Sequence, residues 1–223
     1  MRPANISQAR VAICTAIINY KDDLKHPQFE KPDNWDAFCF TDQEVYSDFY
    51  KVIKINELPY TDNTRNAKTY KVLPHVYFPS YDYVIWVDSK INLLAKFLDL
   101  ANEMYQHKAA VFPHPERDCL YAEAEKCINF NLDDASKIKA QVSAYRRSGM
   151  PYNFGLASCG VLFMHANDSQ VKQFNELWWN EIEKFSRRDQ LSFPYIEWQT
   201  GFKWHRVNEP WIWDNQYLQV IYK

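Results

Sequence analysis

The sequence predicts an α/β fold: a single domain with a central, mostly parallel sheet flanked by helices. Three observations carry this. Short runs rich in β-branched and aromatic residues alternate with stretches of helical periodicity, the order expected when crossover helices join parallel strands. The apolar run Val84-Ile85-Trp86-Val87 passes directly into Asp88-Ser89-Lys90, as a buried strand does where it delivers polar groups to the crevice beyond its carboxyl end. At 223 residues the chain can bury about seven-tenths of its unfolded surface around one core.

Strands are expected at residues 11–18, 37–40, 50–55, 83–87 and 109–112. A helix over 67–78 is interrupted at Pro74, which lacks a backbone donor, and Leu94, Phe97, Leu98, Ala101 and Met104 repeat at helical spacing. Residues 114–127 read as irregular. The helix that follows is capped by Asp133 or Asp134, carries Ile138, Val142 and Tyr145 as its apolar stripe, and stops at Gly149-Met150-Pro151. A strand at 158–164 precedes an amphipathic helix marked by Val171, Phe174, Trp178, Ile182 and Phe185. Asn167, Asp168 or Ser169 opens that helix, and Arg187 and Arg188 suit its C-terminal dipole.

Composition excludes several functions. The 26 basic and 28 acidic residues are scattered, so neither a nucleic-acid stripe nor a polybasic membrane anchor is expected. Four glycines form no phosphate-cradling loop. Five cysteines, an odd number without a C-x-x-C pair, predict reduced thiols. No stretch approaches the ~18 apolar residues of a membrane span. The start Met1-Arg2-Pro3-Ala4-Asn5 reads as lacking a signal-peptide apolar region, so the cytoplasm is the expected location. Aromatic residues, 17% of the chain with eight Trp, suit core, partner surface or a sugar-stacking cleft equally.

Asp88 has two readings: a carboxylate fixed at the crevice, or the N-cap of a following helix. Four further polar clusters interrupt apolar sequence. Arg65-Asn66-Ala67-Lys68, with Lys71, opens a helix, where basic side chains and free N–H groups suit a diphosphate and equally a solvated face. Residues 114–123 crowd His114, Glu116, Arg117, Asp118 and Glu123 into one candidate binding loop. Arg188-Asp189-Gln190 sets an acid and an amide at a helix exit, where Asp189 serves as general base or in capping and ion pairing. In Trp204-His205-Arg206 the histidine is a metal or phosphate ligand or a structural residue. No nucleophile elbow supports hydrolase chemistry.

Taken in order, several motifs resemble a family of glycosyltransferase-like domains, long labelled a domain of unknown function, with plant members linked to mucilage polysaccharides and bacterial members from polysaccharide loci. They are Thr15-Ala16-Ile17, Asp36-x-x-Cys39-Phe40-Thr41-Asp42, Lys68-Thr69-Tyr70-Lys71-Val72-Leu73-Pro74-His75 and Trp86-Val87-Asp88-Ser89-Lys90. His114-Pro115-x-Arg117-Asp118-Cys119-x-Tyr121-x-Glu123-Ala124 and Arg188-Asp189-Gln190-Leu191-Ser192-Phe193 complete the set. The resemblance implies a GT-A-like fold, with a nucleotide-sugar-binding half over about residues 10–112 and an acceptor half over about 113–223. It implies transfer of a sugar from a nucleotide-sugar donor to a glycan acceptor in polysaccharide or glycoconjugate biosynthesis. The rival reading is a non-catalytic glycan- or nucleotide-binding protein that keeps the fold without turnover, and a minor one is a hydrolase using Asp88 and Asp189.

In such folds the strand-end motif commonly reads Asp-x-Asp and holds Mn2+ or Mg2+ against the donor diphosphate. Here Lys90 stands in the second acidic position. Either Asp88 binds the metal with another ligand such as His205, or Lys90 and Lys68 neutralise the diphosphate without metal. Donor binding falls to Thr15, Arg65, Lys68, Asp88, Lys90, Arg117, Asp118 and Gln190, and catalysis to Asp88, Asp189 and Glu123, with Asp189 the first choice of base and Glu123 the second. Trp178, Trp179 and Trp204 are candidates for sugar stacking. Ile18-Asn19-Tyr20 replaces glycines of the relatives, which points to a different nucleobase pocket.

Overall fold

A computed structural model of the chain describes all residues except 1, 2, 4, 20–22, 210, 211, 222 and 223, so Tyr20 of the expected nucleobase pocket and Met1, Arg2 and Ala4 of the chain start lie outside the described residues. Its elements are β1 (Val11–Ile17), β2 (Trp35–Thr41), β3 (Lys51–Lys54), α1 (Asn63–Val72), α2 (Pro74–Tyr77), β4 (Tyr83–Val87), β5 (Ile91–Leu93) and α3 (Phe97–Met104). They continue with β6 (Ala109–Pro113), α4 (Leu120–Asn129), α5 (Ala135–Arg147), β7 (Ala157–Met164), α6 (Ser169–Lys184), α7 (Asp189–Thr200), β8 (His205–Arg206) and β9 (Leu218–Val220).

The expected α/β architecture is present. A seven-stranded sheet has the order β3-β2-β1-β4-β7-β6-β8, and β5 and β9 form a separate pair. Strands β3, β2, β1 and β4 are parallel, whereas β7 runs antiparallel between β4 and β6. That insertion matters for the site. With Val87 opposite Val161 and Pro113 opposite Ala157, the start of β7 lies at the same sheet edge as the ends of β4 and β6.

Strand β1 is buried throughout, as a strand covered on both faces must be. Its alternate residues feed two cores. Val11, Ile13 and Ile17 pack with Phe97, Leu100 and Met104 of α3, while Ala12, Cys14 and Ala16 share a cluster with α1, α6 and α7. Helix starts follow side-chain chemistry: Asp62, Asp134 and Asp168 each accept backbone N–H groups of the first turn. All five cysteines are free and buried. Among the described residues no helix is long and apolar enough to cross a membrane.

Three local expectations are corrected. Residues 114–127 are not irregular throughout: α4 begins at Leu120, and its start lacks a side-chain cap, so the usual signal was missing. Arg188-Asp189-Gln190 lies at the entrance of α7 rather than at a helix exit, placing Asp189 where the positive end of the dipole favours an acid. Asp88 caps no helix, because the short strand β5 follows it.

Candidate functional site

Strand order reverses beside β1, whose neighbours are β2 on one side and β4 on the other, and a crevice forms at such a switch point. A cleft of about 490 Å³ lies there, bounded by α1, the Asp88-Ser89-Lys90 turn, the start of β7, α4 and the start of α7. Both halves of the chain contribute to it.

Its floor is an ion cluster. Lys68 and Lys71, three residues apart, lie on one face of α1. Lys71 Nζ contacts Asp189 Oδ2 at 2.6 Å, and Lys68 Nζ donates to Asp189 Oδ1 at 2.9 Å and to the Arg187 carbonyl at 2.6 Å. Side-chain exposure is only 4% for Lys71 and 6% for Asp189. Burial alone would raise the Asp189 carboxyl, but the two ammonium groups outweigh it and hold the acid well below the usual carboxylate range. Burial likewise works against the Lys71 charge, yet Asp189 and Asp88 overcome it and raise its pKa. Lys68 is lowered by burial, with Asp189 opposing and Lys71 and Arg188 reinforcing the shift. Asp189 thus serves two ammonium groups, with Asp88 a second, more distant partner of Lys71.

Asp88 stands at the rim, 38% exposed. Its Oδ1 accepts from Trp86 Nε1 at 2.7 Å and from Lys71 Nζ at 3.3 Å; among the described residues Oδ2 has no protein donor. Lys90 is exposed, lines the cleft and has no carboxylate partner among the described residues. On the other side, Glu123 is sealed at 3% exposure, bonded by Arg117 Nε at 2.7 Å, with Arg188 Nη2 at 4.0 Å and His114 Nε2 at 3.8 Å. Burial lowers the His114 pKa against the pull of Glu123, and Nδ1 accepts the backbone N–H groups of Glu116 and Arg117. Gln190 lines the cleft, accepting from Arg188 at 3.0 Å and donating to the Ala157 carbonyl at 3.3 Å.

Of the expected site residues, Lys68, Asp88, Lys90, Arg117, Glu123, Asp189 and Gln190 come together here. Others do not. Arg65 is buried and bonded to Asp62 and to the carbonyls of Ile182 and Phe185, so it pins α1 to α6. Thr15 is buried within β1 and Asp118 is exposed; neither lines the cleft. His205 corrects the expected metal pair: it sits beside Ala110 near the start of β6, while Asp88 follows the end of β4, which runs the same way. Its ring stacks on His107 with centroids 3.5 Å apart. Trp178, Trp179 and Trp204 are buried at 0%, 6% and 3% exposure, which removes them from sugar stacking.

Lys71, expected with Lys68 in the basic cluster at the helix start, belongs to the site as well. Sequence reasoning missed three contributors. Arg188 and Trp86 flank residues already singled out. Gly160 on β7 gave no signal: its carbonyl accepts the Asp88 N–H at 2.8 Å, and a Cβ there would lie 2.9 Å from Ile91 Cδ1 and 3.6 Å from Asp88 Oδ2. Even a methyl group there would have to displace the end of the Ile91 side chain, and it would stand in van der Waals contact with the acid.

A divalent ion needs several oxygen or nitrogen ligands converging on one point. Asp189 and Glu123 are committed to fixed cations, Asp88 Oδ1 is taken, and Lys90 replaces the neighbouring acid. Among the described residues no group of three or more His, Cys, Asp or Glu is arranged to hold an ion. These residues do not fit a protein-held Mn2+ or Mg2+.

The family described as "TOD1/MUCI70, glycosyltransferase-like domain" matches residues 2–209. The chain is 28% identical over 215 residues to the probable hexosyltransferase MUCI70 of Arabidopsis thaliana, covering 83% of this chain and 37% of that protein. It is 27% identical over 161 residues to the alkaline ceramidase TOD1 of the same plant, covering 66% and 35%. The chain thus spans a little over a third of the length of the curated relatives it matches. Among solved structures, apo mouse xyloside xylosyltransferase 1 aligns with a TM-score of 0.49 at 10% identity, covering 89% of this chain and 84% of that one. GlyE of Streptococcus pneumoniae TIGR4 aligns at 0.47 and 12% identity, covering 90% and 45%.

Proposed function

Because the chain belongs to the TOD1/MUCI70 glycosyltransferase-like domain family, we propose that it is a glycosyltransferase that moves a hexosyl or related unit from a nucleotide-sugar donor to a glycan acceptor in polysaccharide or glycoconjugate biosynthesis. The observation that carries this reading is the group of cations at the switch point: Lys68 and Lys71 held by one acid, with Lys90 and Arg188 beside them. When the glycosidic bond breaks, negative charge grows on the departing diphosphate. Cations fixed beforehand stabilise that charge more in the transition state than in the ground state. This is a GT-A-like donor site in which lysine replaces the second acid, so Lys90 and Lys68 take the neutralising role.

Asp189 positions the two lysines in this reading and is not a base, since both its oxygens face ammonium groups and its proton affinity is very low. Glu123 is equally committed, to Arg117. With Asp189 and Glu123 both closed to an acceptor hydroxyl, a base for inversion would have to be Asp88, whose Oδ2 is open at the rim; in retention the leaving phosphate oxygen takes the proton of the attacking hydroxyl instead. The free, buried thiols support a reducing compartment such as the cytoplasm.

A panel of nucleotides and nucleotide sugars, read by thermal shift with and without Mn2+, tests the proposal. At least one nucleotide sugar is expected to stabilise the protein, with or without Mn2+. Stabilisation by glycans alone would favour a non-catalytic binding module, and no response to any nucleotide would overturn the transferase reading.

A further inference from the structure

One wall of the cleft comes from a hairpin at the far end of the chain. Strand β9 pairs antiparallel with β5, Ile91 opposite Val220 and Leu93 opposite Leu218. The turn is closed by Asn215, whose side-chain oxygen accepts the N–H groups of Tyr217 and Leu218 at 2.8 and 2.9 Å, and by the Val220 N–H bonded to the Trp213 carbonyl at 2.7 Å. Its last described rung joins the Ile221 N–H to the Lys90 carbonyl at 2.9 Å. Ile212, 1% exposed, seats against Gly160, its Cδ1 3.1 Å from where a Cβ would stand. The hairpin is therefore tied to the stretch that carries Asp88 and Lys90, and it presents Ile212, Trp213 and Val220 to the cleft.

We infer that this hairpin is the wall that selects the donor sugar, with Trp213 as its platform. The inference rests on the donor-site reading above. In that reading a diphosphate held by Lys68, Lys90 and Arg188 divides the cleft into a β1 and α1 side, lined by Ala16, Thr64 and Ala67, assigned to the nucleoside, and a β7 and hairpin side, assigned to the sugar. A pyranose has a face of polarised C–H groups and an equator of hydroxyls. The electron-rich face of an indole, flanked by aliphatic side chains, attracts the former and leaves the latter to the Asp88 rim. The family match ends at residue 209, so this wall comes from outside the matched span.

The test compares the wild type with Trp213→Ala and Trp213→Phe by isothermal titration, using UDP, GDP and ADP and then UDP-glucose, UDP-galactose, GDP-mannose and ADP-glucose. The wild type is expected to bind one nucleotide sugar more tightly than its own nucleoside diphosphate. Trp213→Ala should lose that preference, by about tenfold, the order one aromatic contact supplies, while nucleoside diphosphate binding stays within about twofold. Trp213→Phe should restore most of it. An alanine variant that keeps the preference, or that loses both classes of ligand equally while its thermal melt is unchanged, overturns the role of Trp213 and leaves the donor site standing. A wild type that binds no nucleotide overturns both.

Discussion

Asp189→Asn is expected to destabilise the protein by about 3–5 kcal/mol, the cost of leaving buried charge without its partner. The substitution keeps the shape and removes the charge shared by Lys68 and Lys71, of which Lys71 is 4% exposed. Lys71 would then lie buried with only the rim acid Asp88 at 3.3 Å, and the half-buried Lys68 would keep only the Arg187 carbonyl. The midpoint of thermal unfolding should fall by roughly 10 °C. The pH dependence has a definite sign. The folded-state pKa of Asp189 is depressed below the unfolded value of about 3.9, so its contribution is fully present above that pH and is lost as pH falls towards the folded value. The gap between wild type and variant should therefore be constant near neutrality and narrow below about pH 4. Urea melts from pH 7 down to 3 check this, and a loss of less than about 1 kcal/mol at neutral pH would show that the cluster is not the site's structural anchor.

The second large effect lies in turnover. Asp88→Asn is expected to reduce sugar transfer by about 10²–10³-fold, because in the proposed mechanism its open Oδ2 stabilises the positive charge that develops on the sugar as the glycosidic bond breaks, and one such preorganised electrostatic contact is worth that much. Stability should change little, because Asp88 is 38% exposed, Lys71 retains Asp189, and an Asn oxygen still accepts the Trp86 indole N–H. Released nucleoside diphosphate measures the effect. Equal release by variant and wild type would remove Asp88 from the mechanism, and release by neither would favour the binding-module reading.

These two residues also show how far the sequence could be read. Asp88 was legible because an apolar strand stops abruptly at it, and strand ends project into the crevice by topology. Lys68 and Lys71 announced a shared helix face by spacing. Their partner Asp189 lies more than a hundred positions away, at a helix start that sequence reasoning took for an exit, so the ion cluster itself could not be derived. Arg65 has the same local context as Lys68, yet α6 supplies carbonyls that absorb its guanidinium. The tryptophans failed for a similar reason: Trp178 follows the helical stripe into the core, and Trp204 joins it there through contacts that no local pattern reveals. The hairpin pairing β9 with β5 is long-range, and neither strand is long enough to carry an alternating signal.

In the proposed mechanism fixed cations beside Asp88 hold the donor diphosphate. The most direct measurement is calorimetric titration of wild type and Lys90→Ala with the nucleotide sugar selected from the panel, with EDTA present. Retained binding by the wild type, weakened at least tenfold in Lys90→Ala, is the predicted result, on the scale of one charge-assisted hydrogen bond. Wild-type binding that disappears in EDTA and returns with Mn2+, with Lys90→Ala indistinguishable from wild type, would contradict it.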